Sequence, residues 1–352
     1  MTSTMRVGSR IGLIIGQRTS LRGACGLIVR LPSAPPAGQD TDVQAARSRY
    51  PSGGVTVCDV GPRDGLQNES SSLPAEVRAE LCDRLAEAGL PRIEAVSFVN
   101  PRLVPQMAGA EEVMALVQRR PGSVLAGLVL NERGLERALE AHVDEVHYAF
   151  PVTDTFAQRN QNTTVEGGLE TGKRLVARCR GLGMRVTVTL SVAFGCPFEG
   201  RVDPAHVLRL AERVMEEPPD ELTLADTIGV AVPSQVTGLV RGSLGLGAVV
   251  GGHFHNTRNT GLANAVAALE AGASVLDASL GGTGGCPFAP RATGNIPTED
   301  LVYLLHGMGI QTGIDLERLI QASLWLGERL GKELPAMLPR AGDFSPVSRG
   351  PV

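Results

Sequence analysis

His253 and His255 are separated by one residue in the run Gly251-Gly-His-Phe-His-Asn256. An extended chain alternates its side chains, so both imidazoles project from one face of a strand. Two neutral imidazoles at a strand's end can share one divalent cation. Asp64, in Gly61-Pro-Arg-Asp-Gly65, adds a hard anionic oxygen, and Asn295 can add a neutral carbonyl oxygen. One carboxylate, two imidazoles and an amide suit Mg2+ or Mn2+ with positions left open for substrate oxygens. Zn2+ would be tolerated too, although a closed structural zinc site would normally include thiolates.

Around that set stand groups able to handle charge and protons. Arg63, next to Asp64, is placed to stabilise a developing oxyanion. Glu94 falls in an apolar strand, where an unpaired carboxylate is costly. Either it pairs with Arg63 and orients it, or that strand presents its other face. Asp226 ends another strand; it either accepts a hydrogen bond from a metal-binding histidine or caps the next helix. Cys286 lies in a glycine-rich stretch, 281–295, that can close over a site, and a thiol near a cation and imidazoles can act as acid or base. Cys196 sits in the similar Gly195-Cys-Pro-Phe-Glu-Gly200, so spacing alone does not choose between the two. Cys25, Cys58, Cys82 and Cys179 read as small core residues.

The elements that must carry these residues repeat as strand, loop, helix. Strands are expected at 55–60, 93–98, 124–129, 145–148, 185–191, 221–225, 247–253 and 275–280. Apolar residues at helical spacing mark helices at 73–88, 111–119, 132–141, 166–180, 204–216, 234–241 and 262–271. Two more follow at 299–307 and 315–330. Eight β-α units in about 260 residues have the size and rhythm of a (β/α)8 barrel with a short helical C-terminal extension. An open doubly wound sheet is the alternative, and the even spacing favours closure. In a closed barrel the site lies at the C-terminal ends of the strands, where Arg63, Asp64, Glu94, Asp226, His253 and His255 all fall.

Composition bounds the remainder. The chain has 352 residues, 43% of them hydrophobic and only 3% aromatic, so its core is aliphatic. A net charge of −4 with no basic face excludes nucleic acid as an expected partner. No apolar run reaches the roughly 18 residues of a membrane span. The six cysteines form no C-x-x-C pair, which fits a reducing compartment. Residues 1–38 lack acidic side chains while Arg6, Arg10, Arg18, Arg22 and Arg30 recur. That composition fits an organellar transit peptide, a non-essential tail, or a start codon placed too early. Residues 1–52 are therefore set apart from a barrel over 53–337, and 338–352 form a Pro-rich tail. A bacterial cytoplasmic location is expected, or the mitochondrial matrix if the first segment is a transit peptide.

Taken in order, several motifs resemble the 3-hydroxy-3-methylglutaryl-CoA lyase family. They are Gly61-Pro-Arg-Asp-Gly-Leu-Gln-Asn-Glu69, Ser97-Phe-Val-Asn-Pro-Arg-Leu-Val-Pro-Gln-Met107, Gly195-Cys-Pro-Phe-Glu-Gly200 and Asp226-Thr-Ile-Gly229. His253-Phe-His255, Gly284-Gly-Cys-Pro-Phe288 and Gly294-Asn295 complete the set. The resemblance runs from about 55 to 330 and implies a metal-dependent barrel lyase. It implies Asp64, His253, His255 and Asn295 as ligands of Mg2+ or Mn2+, and Arg63, Cys286, Glu94, Asp226 and His253 as catalytic or supporting residues. Arg63, Gln67 and Lys332 would contact an acyl-CoA substrate. The implied reaction is retro-aldol (Claisen-type) cleavage to acetoacetate and acetyl-CoA, in leucine catabolism and ketone-body formation, by a homodimer. Two departures lie at the expected rim. Asn256-Thr-Arg-Asn-Thr260 replaces the family's usual Asp-Thr-Tyr-Gly-Gln, and Ser70 stands where a lysine often follows Gln-Asn-Glu. Another branched 3-hydroxyacyl-CoA, such as citramalyl-CoA or an isohexenyl homologue, is thus an alternative substrate. A condensing synthase of the same superfamily is the alternative reaction, and a binding scaffold with a dead metal site the alternative class.

Overall fold

Residues 54–285 and 294–344 are described here from a computed structural model of the chain. Its eight strands are β1 (Thr56–Asp59), β2 (Arg92–Ser97), β3 (Val124–Val129), β4 (Glu145–Pro151), β5 (Arg185–Ser191), β6 (Glu221–Asp226), β7 (Val250–Phe254) and β8 (Val275–Ala278). Each pairs in parallel with the next, and β8 pairs with β1, closing the barrel. The expected order of units is the observed one.

Alternation along the strands divides the molecule into two chemistries. One set of positions (Val57, Ile93, Leu125, Val146, Val188, Leu222, Val250, Leu276) is fully or nearly fully buried and packs beneath the helices. The other set is inward and mostly polar. Across the register, Leu128 lies opposite His147, His147 opposite Thr187, Thr187 opposite Glu221, and His253 opposite Asp277. Barrels of this kind usually fill their interior with Val, Ile and Leu. Here the floor holds ions instead: Arg92 donates to Glu221 at 2.7 Å and lies 3.2 Å from Glu145. Thr187 and Thr223 donate to those two carboxylates at 2.9 Å each.

The helices follow the expected order: α1 (Ala75–Glu87), α2 (Ala110–Leu116), α3 (Glu132–Glu140), α4 (Asp154–Gln161), α5 (Val165–Gly181), α6 (Pro204–Val214), α7 (Pro233–Gly245) and α8 (Gly261–Ala271). Helix α4 was not expected. It begins after Thr153 and ends at Asn162 in the left-handed conformation, a common C-terminal stop. Two further helices, α9 (Thr298–Gly307) and α10 (Leu316–Leu330), pack on each other and on the turn Leu280–Gly282 after β8, and α10 also packs on α1.

Buried carboxyls bolt this extension down. Asp59 accepts from Thr298 Oγ1 at 2.6 Å and from the Gly61 amide at 2.7 Å. Both Glu299 oxygens accept from the Gly281 amide, 3.0 and 3.2 Å away. Burial pushes Asp59 up to about 7 and Glu299 up to about 8. The chain stays docked beyond the expected boundary at 338. Leu338–Ala341 forms a short helix, α11, and Asp300 accepts from the Met337 and Leu338 amides. Residues 1–53, and with them the expected 1–52 segment, lie outside the described residues. No described helix is long and apolar enough to cross a membrane.

Candidate active site

After β1 the chain makes a wide helical turn, Gly61–Gly65, that lifts Arg63 and Asp64 over the barrel mouth. Gly65 is required by proximity, since a Cβ there would lie 2.3 Å from Thr283 Oγ1 and 2.6 Å from Ser279 Oγ. His253 and His255 leave β7 on one face, as their spacing predicts, with ring centroids 5.3 Å apart. Asp64, His253 and His255 each offer one ligand atom, all within 4.8 Å of one another. Asn295 arrives from the far side of the glycine-rich stretch. Its backbone bridges His255 in antiparallel fashion, flanked by Asn256 N to Gly294 O (3.0 Å) and Ile296 N to Phe254 O (3.1 Å).

The donor set fits a hard divalent cation. Among the described residues His255 Nδ1, which is buried, has no hydrogen-bond partner, and its Nε2 stands 3.9 Å from Asp64 Oδ2. His253 uses Nδ1 on Asp277 Oδ2 at 3.1 Å, which leaves Nε2 for the cluster. The Asn295 amide nitrogen donates to Asp64 Oδ2 (2.9 Å) and to the Thr283 carbonyl (3.1 Å). A half-turn of that amide would present its oxygen instead, at the cost of the bonds to Asp64 and Thr283.

Electrostatics keep Asp64 ionised and His255 neutral, the protonation states that bind a metal. Burial alone would raise Asp64, but the Arg63 guanidinium and the two imidazoles overcome it and hold the carboxyl at about 2. Burial and neighbouring His253 push His255 down to about 4, so it is neutral at pH 7. Burial would also lower His253, yet its hydrogen bond to Asp277 and that residue's charge raise it.

Glu94 pairs with Arg63, the first of its two expected outcomes: Arg63 Nε donates to Oε2, and Nη1 donates to Asp64 at 2.7 Å. Its other oxygen meets His147 Nδ1 at 2.9 Å. Flanked by Glu94 and Glu145, the His147 imidazole is pushed up to about 10 despite its burial. These groups border a cavity of about 220 Å3, whose other wall is apolar, from Val99, Val104, Leu128, Leu130 and Phe156.

Asp226 does not support a histidine. Both its oxygens accept backbone amides of the following loop, Val230 and Ala231, at 2.9 Å. The strand ends there and the loop's donors capture the carboxylate, so Asp277 takes the expected role. Neither Asp277 nor His147 was singled out from sequence. The available signal was one polar residue on the inward alternation of an otherwise apolar strand. Gln67 lines the cavity, and its buried Oε1 has no hydrogen-bond partner among the described residues. Lys332 is not brought there: its ammonium lies 2.5 Å from Glu69, on a separate surface groove. Cys196 is a buried packing residue whose Sγ accepts from Thr153 at 3.2 Å. Cys58, Cys82 and Cys179 are buried too, while Cys25 and Cys286 lie outside the described residues. Gly285, beside Cys286, does line the cavity, and its carbonyl accepts from Asn68 at 2.8 Å.

The sequence matches the HMGL-like family model over residues 54–325. The chain belongs to the HMGL-like family. It is 46% identical, over 311 residues, to the (R)-citramalyl-CoA lyase of Chloroflexus aurantiacus, covering 84% of this chain and 98% of the relative. The crystal structure of the Bacillus subtilis HMG-CoA lyase superposes with a TM-score of 0.80 at 39% identity, covering 83% of this chain and 98% of that one. An HMG-CoA lyase from Acinetobacter baumannii, in complex with coenzyme A and 3-methylmalate, gives 0.79 at 39% identity, over 83% and 97% of the two chains. This HMGL-like protein is thus a carbon–carbon lyase on a (β/α)8 barrel.

Proposed function

We propose that the protein cleaves 3-hydroxy-3-methylglutaryl-CoA to acetoacetate and acetyl-CoA, or a close 3-hydroxyacyl-CoA to acetyl-CoA and the corresponding keto product. Asp64, His253, His255 and Asn295 would hold Mg2+ or Mn2+. The observation that carries this reading is the convergence of Asp64, His253 and His255 beside Arg63, in a chain of the lyase family. A cation bound there would supply positive charge to a hydroxyl and a carboxylate of the substrate, acidifying the hydroxyl.

The residues then divide the work. Of the three carboxylates lining the cavity, Asp64 and Glu94 share the Arg63 guanidinium, and Asp277, whose Oδ2 meets His253 Nδ1, would accept the hydroxyl proton on its other oxygen. Breaking the C2–C3 bond puts the electron pair on the thioester fragment as an enolate. Arg63, held from two sides, meets that oxyanion with its remaining donors. The enolate carbon takes a proton, a role Cys286 fits by its place in the glycine-rich stretch. Gln67 offers its unpartnered carbonyl to the substrate, and the apolar wall takes the alkyl branch. Lys332, held by Glu69 on a groove outside the cavity, would meet the substrate only through its CoA arm.

A second reading, citramalyl-CoA as substrate, is favoured by the 46% identity to a lyase of that name. It uses the same bond cleavage and the same enolate. Purified protein with Mg2+ or Mn2+, given a panel of 3-hydroxyacyl-CoAs, should release acetyl-CoA, and the highest kcat/KM names the substrate. Release from none of them would overturn both readings.

A further inference from the structure

We propose that His147 is a positioning residue whose imidazole holds Glu94 in place so that Glu94 can hold the Arg63 guanidinium over the cavity. The inference deepens the proposed function and rests on its assignment of Arg63 to the enolate oxygen.

The two oxygens of Glu94 are divided, Oε2 to Arg63 Nε and Oε1 to His147 Nδ1 at 2.9 Å. Glu94 is 1% exposed and sits where the β2–β3 register slips, between Glu94 and Val96. No other hydrogen bond to its carboxylate is seen among the described residues, so without His147 its end could turn. His147 is itself backed from below. Its Nε2 faces Glu145 Oε1 at 3.6 Å, and Glu145 is fixed by Thr187 at 2.9 Å and Arg92 at 3.2 Å. A line of alternating charge therefore runs from the barrel floor to Arg63: Glu221, Arg92, Glu145, His147, Glu94. An apolar filler at 147 would leave Glu94 and Glu145 facing each other with no donor between them, which is unfavourable. Arg63 Nη2 has no hydrogen bond among the described residues, so the fork is fixed by two arms and leaves one for substrate. A guanidinium so fixed costs no reorganisation when charge develops.

The tests are His147→Leu, which removes the donor, and His147→Asn, whose amide nitrogen replaces Nδ1. Each is read by kcat, KM, Mn2+ affinity and protection of the Arg63 Nε–H in 15N NMR, assigned by its loss in Arg63→Lys. His147→Leu should lower kcat about 10–100-fold, as loss of an outer-shell orienting partner does, with KM and Mn2+ affinity unchanged and the Nε–H no longer protected. His147→Asn should recover most of kcat and the protection. Wild-type kcat with a protected Nε–H in His147→Leu would overturn the proposal. So would equal losses in both variants accompanied by lost Mn2+ affinity, which would mark a general packing role. Should the leucine variant not fold, His147→Gln decides. Its amide reaches the Glu145 side, so it should lose kcat where His147→Asn keeps it, and equal rates would overturn the proposal. If wild type cleaves no CoA ester, the proposed function fails while the Nε–H readout still decides the role of His147.

Discussion

The floor and the mouth of the barrel are built from the same kinds of residue and behave oppositely. At the floor, Arg92, Glu145, Glu221, Thr187 and Thr223 satisfy one another in nearly closed fashion. At the mouth, Asp64, His253 and His255 converge within 4.8 Å, yet among the described residues His255 Nδ1 has no partner and Gln67 Oε1 is buried and unmatched. Charge content does not distinguish the two clusters, nor does an unpartnered atom alone, since Glu145 Oε2 at the floor has only ion pairs, with Arg92 at 3.2 Å and Arg185 at 3.6 Å. What sets the mouth apart is that Asp64, Gln67, His253 and His255 line the cavity. Burying a polar group without a partner costs free energy, and a fold retains that cost where a ligand removes it.

The strongest way to break this comparison is to remove what the mouth is expected to bind. Chelation with EDTA, or His255→Ala, should abolish CoA-ester cleavage, with Mg2+ or Mn2+ restoring only the chelated wild type. Full activity after chelation, checked by metal analysis, would make the mouth a polar cluster like the floor. Next in size is the proton donor. Cys286→Ser should lower kcat by about 10²–10⁴-fold, whereas Cys196→Ser, buried against Thr153, should keep kcat and alter only the thermal midpoint. The floor supplies the reciprocal case. Glu221→Leu should reduce unfolding free energy by about 3–5 kcal/mol, measured by urea denaturation, while kcat of the folded protein falls far less than in His147→Leu, because Arg92 keeps Glu145.

The smallest effect is a pH trend. Asp59 at about 7 and Glu299 at about 8 lie above their ordinary values, so between about pH 4 and 8 the folded state binds more protons than the unfolded one. His147, at about 10, has its stabilisation fully present below its ordinary value of 6.5 and loses it as pH rises toward 10. The three act in one direction. The thermal midpoint should fall as pH rises from 6 to 9, and Glu299→Gln should flatten the slope. A midpoint that rises over that range would contradict the burial assigned to these groups.

The number and order of the barrel units were legible because apolar runs and helical spacing repeat without interruption. The His253–His255 pair was legible because a two-residue period needs no knowledge of neighbours. Asp277 and His147 were not, since each acquires its role from interstrand register. His253 meets Asp277 only because β7 and β8 align them. Asp226 misled for the converse reason: a carboxylate at a strand's end looks the same whether it serves a histidine or the loop's own amides. Helix α4 escaped because it has only two buried residues, Phe156 and Ala157, too few to show a period.

The alternation inside each strand has an evolutionary corollary. On β4, Val146, Tyr148 and Phe150 belong to the apolar layer beneath the helices, while Glu145, His147 and Ala149 belong to the interior. Selection for a folded scaffold and selection for a new acyl group therefore act on interleaved residues of one segment. A lineage can exchange Ala149 or Leu128 for a larger or smaller side chain and reshape the cavity, while the layer that carries most of the apolar burial stays intact. Substrate choice can drift within this barrel while its stability is inherited unchanged.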